Sequence, residues 1–171
     1  MKPAAILLAA LVLVAAIYDW RLRRIPNWLT LSGIAAGFAL NAWFGNVREA
    51  AIGFALAVAV YLPLFALRAM GGGDLKLMAA VGAVAGGPAA WLAIFVYTAI
   101  LGGLAALVTL AVRGGMGRAF ANVLHILKRL ARLRAPYRDR GELDVSHPQA
   151  RTLPHGVVIA AGALLYLAVS R

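Results

Sequence analysis

Long apolar runs separated by short polar breaks constrain this chain more than anything else in it. Residues 4–18, 28–44, 49–67, 89–112 and 153–169 carry almost no charge. An α-helix rises 1.5 Å per residue, so about 20 apolar residues cross a hydrocarbon core of about 30 Å. Inside lipid every backbone polar group must be bonded within the protein, which leaves helices or closed barrels. These runs are continuous rather than alternating, so helices are expected. Of the 171 residues 63% are hydrophobic and 13% charged. A soluble domain is nearer half apolar and a quarter charged. The expected fold is all-α: one integral-membrane domain over residues 1–171, a polytopic bundle of about six transmembrane helices.

The first run, 4–18, is expected to end near Trp20. A cleavable signal peptide competes with that reading, since Lys2 precedes the run and Val14-Ala15-Ala16 resembles a cleavage site. Arg21, Arg23 and Arg24 follow the run and outnumber Lys2, which favours a retained helix with its N-terminus outside. In the basic loop 21–27, Pro26 biases Ile25 away from helix and Asn27 is placed to cap the helix that follows. Pro63 is expected to kink the third span. Residues 68–76 form a glycine-rich loop. The run 75–86 covers only about 18 Å as a helix; it either thins the bilayer or lies buried among its neighbours.

Net charge is +11. In a soluble chain that would suggest nucleic acid. Here the charges lie in loops, and membrane orientation accounts for them without a nucleic-acid partner. Placing loops 21–27, 68–76 and 113–151 in the cytoplasm puts 14 of the 17 Lys and Arg there, as the positive-inside rule requires. Both termini then lie outside. Within the long loop, residues 117–134 set Phe120, Val123, Leu124, Leu127 and Leu130 on one helical face and basic residues on the other. An amphipathic helix on anionic lipid is expected, against a solvated loop or, more remotely, a calmodulin-like target. Residues 135–151 read as irregular linker. Paired small residues such as Gly33, Gly37, Gly82 and Gly86 are expected mainly to let helices approach closely.

There is no cysteine, and His125, His147 and His155 share no metal-ligand spacing. No metal or cofactor is expected. Six residues are acidic, and only Asp19 and Asp74 abut apolar runs on the same expected side. A carboxylate within a bilayer costs about 2.5–3.5 kcal/mol at a helix centre on insertion scales, so it usually has a partner or a function. Two carboxyls brought close share a proton, and the pair can act as base toward water and acid toward a carbonyl oxygen. Asp19 and Asp74 are therefore expected to meet and to hydrolyse peptide bonds. Gly71, Gly72 and Gly73 are expected to give an extended substrate room beside the acids, and Lys76 and Arg21 to stabilise the ionised state. Read singly, each motif has a plainer meaning: Asp74 as the cap of a helix beginning at Leu75, Asp19 as an interfacial acid paired with Arg21 or Arg23.

The segment Asp19-Trp20-Arg21-Leu22-Arg23-Arg24-Ile25-Pro26-Asn27 resembles the first signature of the type IV prepilin peptidases. Gly71-Gly72-Gly73-Asp74-Leu75-Lys76-Leu77 resembles their second, the Gly-x-Gly-Asp motif of intramembrane-type aspartic proteases. Leu153-Pro154-His155-Gly156-Val157 is similar to the Pro-aromatic-Gly segment opening their last helix, with His155 in place of the aromatic residue. The resemblance implies a multi-pass protein of the bacterial inner membrane. It implies an aspartic-type endopeptidase that removes the basic leader of prepilins or pseudopilins after a glycine at the cytoplasmic face. Asp19 and Asp74 would be the catalytic pair, with Gly71, Gly72, Gly73, Lys76, Arg21, Pro26 and Asn27 in support or substrate binding. Membrane lipid is the other expected partner. Without the Cys-x-x-Cys pairs of longer members, the chain looks like the short, peptidase-only form similar to those of tight-adherence pilus systems, and methyltransferase activity is not expected. The alternatives are a proton- or cation-coupled transporter using Asp19 and Asp74, or a non-catalytic assembly protein of a pilus or secretion machine. No internal hydropathy repeat supports the transporter.

Overall fold

The fold is given by a computed structural model describing residues 3–68, 70–113 and 154–170. Among these residues all regular structure is helical: α1 Pro3–Leu22, α2 Asn27–Trp43, α3 Val47–Ala66, α4 Gly72–Ala85, α5 Pro88–Arg113 and α6 His155–Val169. The expected amphipathic segment 117–134 and the linker after it lie outside the described residues. Three helices are long and apolar enough to cross a membrane, within Pro3–Leu22, Val47–Ala66 and Pro88–Val112; His155–Val169 is apolar but shorter. Large apolar side chains such as Ile6, Ile17, Leu31, Val96 and Ile100 point outward from the bundle. Such a surface suits lipid and not water. The protein is a helical membrane protein.

The breaks follow local chemistry. Pro26, at φ −64° and ψ 140°, takes the capping position of α2, so Asn27 is the first helical residue instead of the cap. Gly86 ends α4 in the left-handed region at φ 71°, and Pro88 opens α5, where a missing N–H leaves no intrahelical bond unmade. Pro63 falls in the last turns of α3, and the helix runs through it to Ala66.

The short fourth helix is the centre of the molecule. Residues 77–84 are all buried, and α4 touches each of the other five helices. Of the two readings left open for this segment, burial among its neighbours is the one found. The close packing rests on small residues. A Cβ added at Gly53 would stand 2.7 Å from the carbonyl oxygen of Gly82, and one at Gly82 would stand 2.5 Å from that of Gly53. On the opposite side a Cβ at Gly37 would meet the Ala83 and Val84 backbone at 2.9 Å. Asn41 Nδ2 donates to the carbonyls of Gly37 and Ala83, both at 2.9 Å, tying α2 to α4 by side chain as well. Residues 4–18, for which a cleavable signal was the competing reading, form a packed part of this core: Leu8, Leu11, Val12 and Ala15 are buried.

Candidate active site

Asp19 stands in the last turn of α1 and is only 8% exposed. Its Oδ2 accepts a hydrogen bond from the backbone N–H of Gly156 at 2.8 Å. Gly156 is the second residue of α6, and the first N–H groups of a helix have no partner within it. One of those donors is thus satisfied by a carboxyl group from the other end of the chain. The approach requires glycine: a Cβ there would come within 3.0 Å of Asp19 Cβ and Oδ2 and 3.1 Å of Ile25 Cδ1.

Asp74 lies in the first turn of α4, three residues after the capping Gly71. The reading of Asp74 as a cap before Leu75 is therefore corrected: the helix begins at Gly72. The side chain instead reaches back, and the Gly71 amide donates to its carboxyl group. This is half of a capping box, formed with an Asp at the third position. Asp74 is within the electrostatic reach of Asp19. The two helix ends thus bring together the two acids singled out from sequence.

Two further side chains close the group. Tyr61 of α3 is 2% exposed and interacts electrostatically with Asp74. Its ring meets Trp91 and Phe95 edge-on, at centroid distances of 6.5 and 6.0 Å. Trp91 in turn donates from Nε1 to the Met78 carbonyl at 3.3 Å. An aromatic wedge from α3 and α5 therefore backs the first turns of α4. His155, the first residue of α6, interacts with the Asp19 charge, and its buried Nε2 has no hydrogen-bond partner among the described residues.

The supporting residues fall in two classes. Lys76 Nζ donates to Asn27 Oδ1 at 2.9 Å on the exposed side, linking the two sequence motifs. Its ammonium is thus engaged by the Asn27 amide at the entrance to α2. Arg21 is exposed in the last turn of α1. The glycines are not equally open, contrary to the expectation that all three leave space. A Cβ at Gly72 would meet the Phe65 ring at 3.2 Å and one at Gly73 would meet Ile25 Cβ at 3.3 Å. At Gly71, chain neighbours aside, the only heavy atom within 4 Å among the described residues is Asp74 Oδ2, at 3.4 Å. The bare backbone beside Asp74 is that of Gly71. Ile25 fills the junction, touching the positions of both Gly73 and Gly156.

Tyr61, Ile25, Phe65 and Gly156 had no role assigned from sequence. Tyr61 offered one signal, a hydroxyl inside an otherwise apolar span two residues before a proline. Gly156 and Ile25 offered none beyond lying within segments already matched to motifs. Their contacts join residues far apart in the chain.

A scan against protein families matches residues 6–119 to the type IV leader peptidase family. Neither the curated proteins nor the solved structures compared with the chain give a match. The matched residues include both aspartates, α1 from residue 6 onward and α2 through α5, while His155 and Gly156 lie beyond them. With well over half its length in the match, the chain belongs to the type IV leader peptidase family, a family of proteases.

Proposed function

We propose that this protein is a membrane-embedded aspartic endopeptidase that removes the basic leader of prepilin-like proteins, cutting after a glycine at the cytoplasmic membrane face. The observation that carries the reading is that Asp19 and Asp74, acids on separate helices, lie within electrostatic reach of one another, with the backbone of Gly71 beside Asp74. In this reading the carboxyls hold one proton between them. The ionised partner takes a proton from water as its oxygen bonds to the scissile carbonyl carbon. The protonated partner donates to the carbonyl oxygen. Collapse of the tetrahedral species breaks the C–N bond and passes a proton to the leaving amine. No acyl-enzyme is formed. The peptide lies extended along Gly71, where a side chain would obstruct it, and Tyr61 closes the inner wall.

All six helices cross the bacterial inner membrane in this proposal, with the basic loops and the two aspartates on the cytoplasmic side. The residues around the site serve in two ways. Asn27 and Lys76 hold α2 and α4 at the entrance, Pro26 fixes the start of α2, and Arg21 lends positive charge at the end of α1.

The deciding experiment is cleavage of a prepilin in membranes containing wild type, Asp19→Ala or Asp74→Ala protein, read as a shift of the substrate on a gel. Processing by wild type alone is expected. Equal processing by all three would overturn the reading.

A further inference from the structure

His155 carries a buried nitrogen at the site for which the proposed chemistry has no use. Its Nε2 is buried and has no hydrogen-bond partner among the described residues. Buried polar atoms are almost always paired in native proteins, so an orphan calls for an explanation. Thr98 Oγ1 is the other such atom among the described residues. It lies against Gly162 in the α5–α6 contact. His155 differs in place. It opens α6, interacts with the Asp19 carboxyl, and is followed directly by the glycine whose amide holds Asp19 Oδ2 at 2.8 Å.

That arrangement limits what the ring can do. The backbone at residue 156 is fixed by the bond to Asp19 and by the lack of room for any side chain there. The ring of residue 155 thus starts from a fixed point of the backbone, within electrostatic reach of Asp19. An imidazole nitrogen can donate or accept, and a peptide group offers both functions. A substrate strand lying along Gly71 brings such groups to the acids.

We propose that His155 is a substrate-positioning residue whose Nε2 pairs with a peptide group flanking the scissile bond. This rests on the proteolytic reading above. His155 then supplies a nitrogen partner for the substrate backbone at the start of α6. Binding of the substrate backbone on that side of the cut then depends on α6 as well as on the two aspartate helices.

The test compares wild type, His155→Phe, His155→Gln and Asp74→Asn in proteoliposomes, with a membrane-anchored prepilin as substrate. Phe keeps a ring and removes the nitrogen; Gln restores a polar nitrogen at about the reach of Nε2. Loss of one hydrogen bond to substrate is expected to lower kcat/KM by about tenfold in His155→Phe, chiefly through KM. His155→Gln is expected to recover most of that loss, with all variants unfolding at wild-type temperature. An unchanged kcat/KM in His155→Phe would overturn the proposal. A loss that His155→Gln shares, or one confined to kcat, would overturn it too. If His155→Phe fails to fold, His155→Leu takes its place under the same criteria. Cleavage by wild type but not by Asp74→Asn keeps the two questions apart: failure of that control strikes the proteolytic reading, and failure of the His155 series strikes this inference alone.

Discussion

The Gly156 amide and Asp19 Oδ2, 2.8 Å apart, join the first and last described helices across 137 residues of sequence. The bond orients the carboxyl group and ties α6 to the end of α1. Gly156→Ala places a methyl group about where Asp19 Cβ and Ile25 Cδ1 already stand. Overpacking of this kind costs about 1–3 kcal/mol. The variant is expected to unfold at lower temperature in detergent and to cleave at least about tenfold more slowly. Full activity at wild-type stability would mean that α6 does not hold Asp19 in the working enzyme.

Asp19→Asn and Asp74→Asn keep side-chain shape and remove the acid. Each is expected to abolish cleavage while the protein still reaches the membrane in normal amounts. Residues that act as one unit are strongly non-additive. The double variant should therefore be no slower than either single one, as measured by single-turnover cleavage. A double variant slower than both would separate the two acids mechanistically.

Gly71→Ala tests where the substrate runs. Gly71 has φ −72° and ψ 147°, an ordinary extended conformation for alanine, and among the described residues beyond its chain neighbours only Asp74 Oδ2 lies within 4 Å of the new methyl group. Thermal unfolding should shift by less than about 1 kcal/mol in stability. Cleavage should fall sharply through KM. Unimpaired turnover would move the substrate path away from this residue.

Gly82→Leu should act in the opposite way. Its Cβ position is 2.5 Å from the Gly53 carbonyl oxygen, so the side chain can be admitted only by parting α3 from α4. Loss of folded protein in detergent is expected, with activity falling in proportion to folded yield. A well-folded but inactive Gly82→Leu protein would contradict the packing described.

Lys76 and Asn27 are coupled by a 2.9 Å bond on the exposed side. Exposed contacts of this type contribute about 0.2–1 kcal/mol. Lys76→Met and Asn27→Ala should each have a small effect on stability, and the double variant should be no worse than the larger of the two. Strict additivity in that cycle would show that the bond contributes nothing.

Much of this was readable beforehand, for reasons that differ by residue. The helices could be read because lipid permits so few alternatives, and their ends moved by only a few residues. Asp19 and Asp74 stood out because acids beside apolar runs are costly and this chain has so few. The errors were local and physical. Asn27 looked like a cap, but Pro26 already held the extended backbone a cap requires, which left the Asn27 amide for Lys76. Asp74 looked like a cap because the three glycines before it looked like a loop, yet Gly72 and Gly73 enter the helix under Phe65 and Ile25. Tyr61, Ile25 and Gly156 were out of reach for another reason. Each acts through a neighbour distant in sequence, and no local pattern marks which face of a helix will meet it.

The central position of α4 also governs how the molecule is made. A helix of 14 residues is too short to settle across lipid by itself, and this one is enclosed by the other five. Its place is made by those neighbours, α6 among them. The position of Asp74 is therefore set by the packing of the whole bundle and not by α4 alone. Under the proteolytic reading, a chain whose helices have not packed holds no assembled pair of acids and cuts nothing.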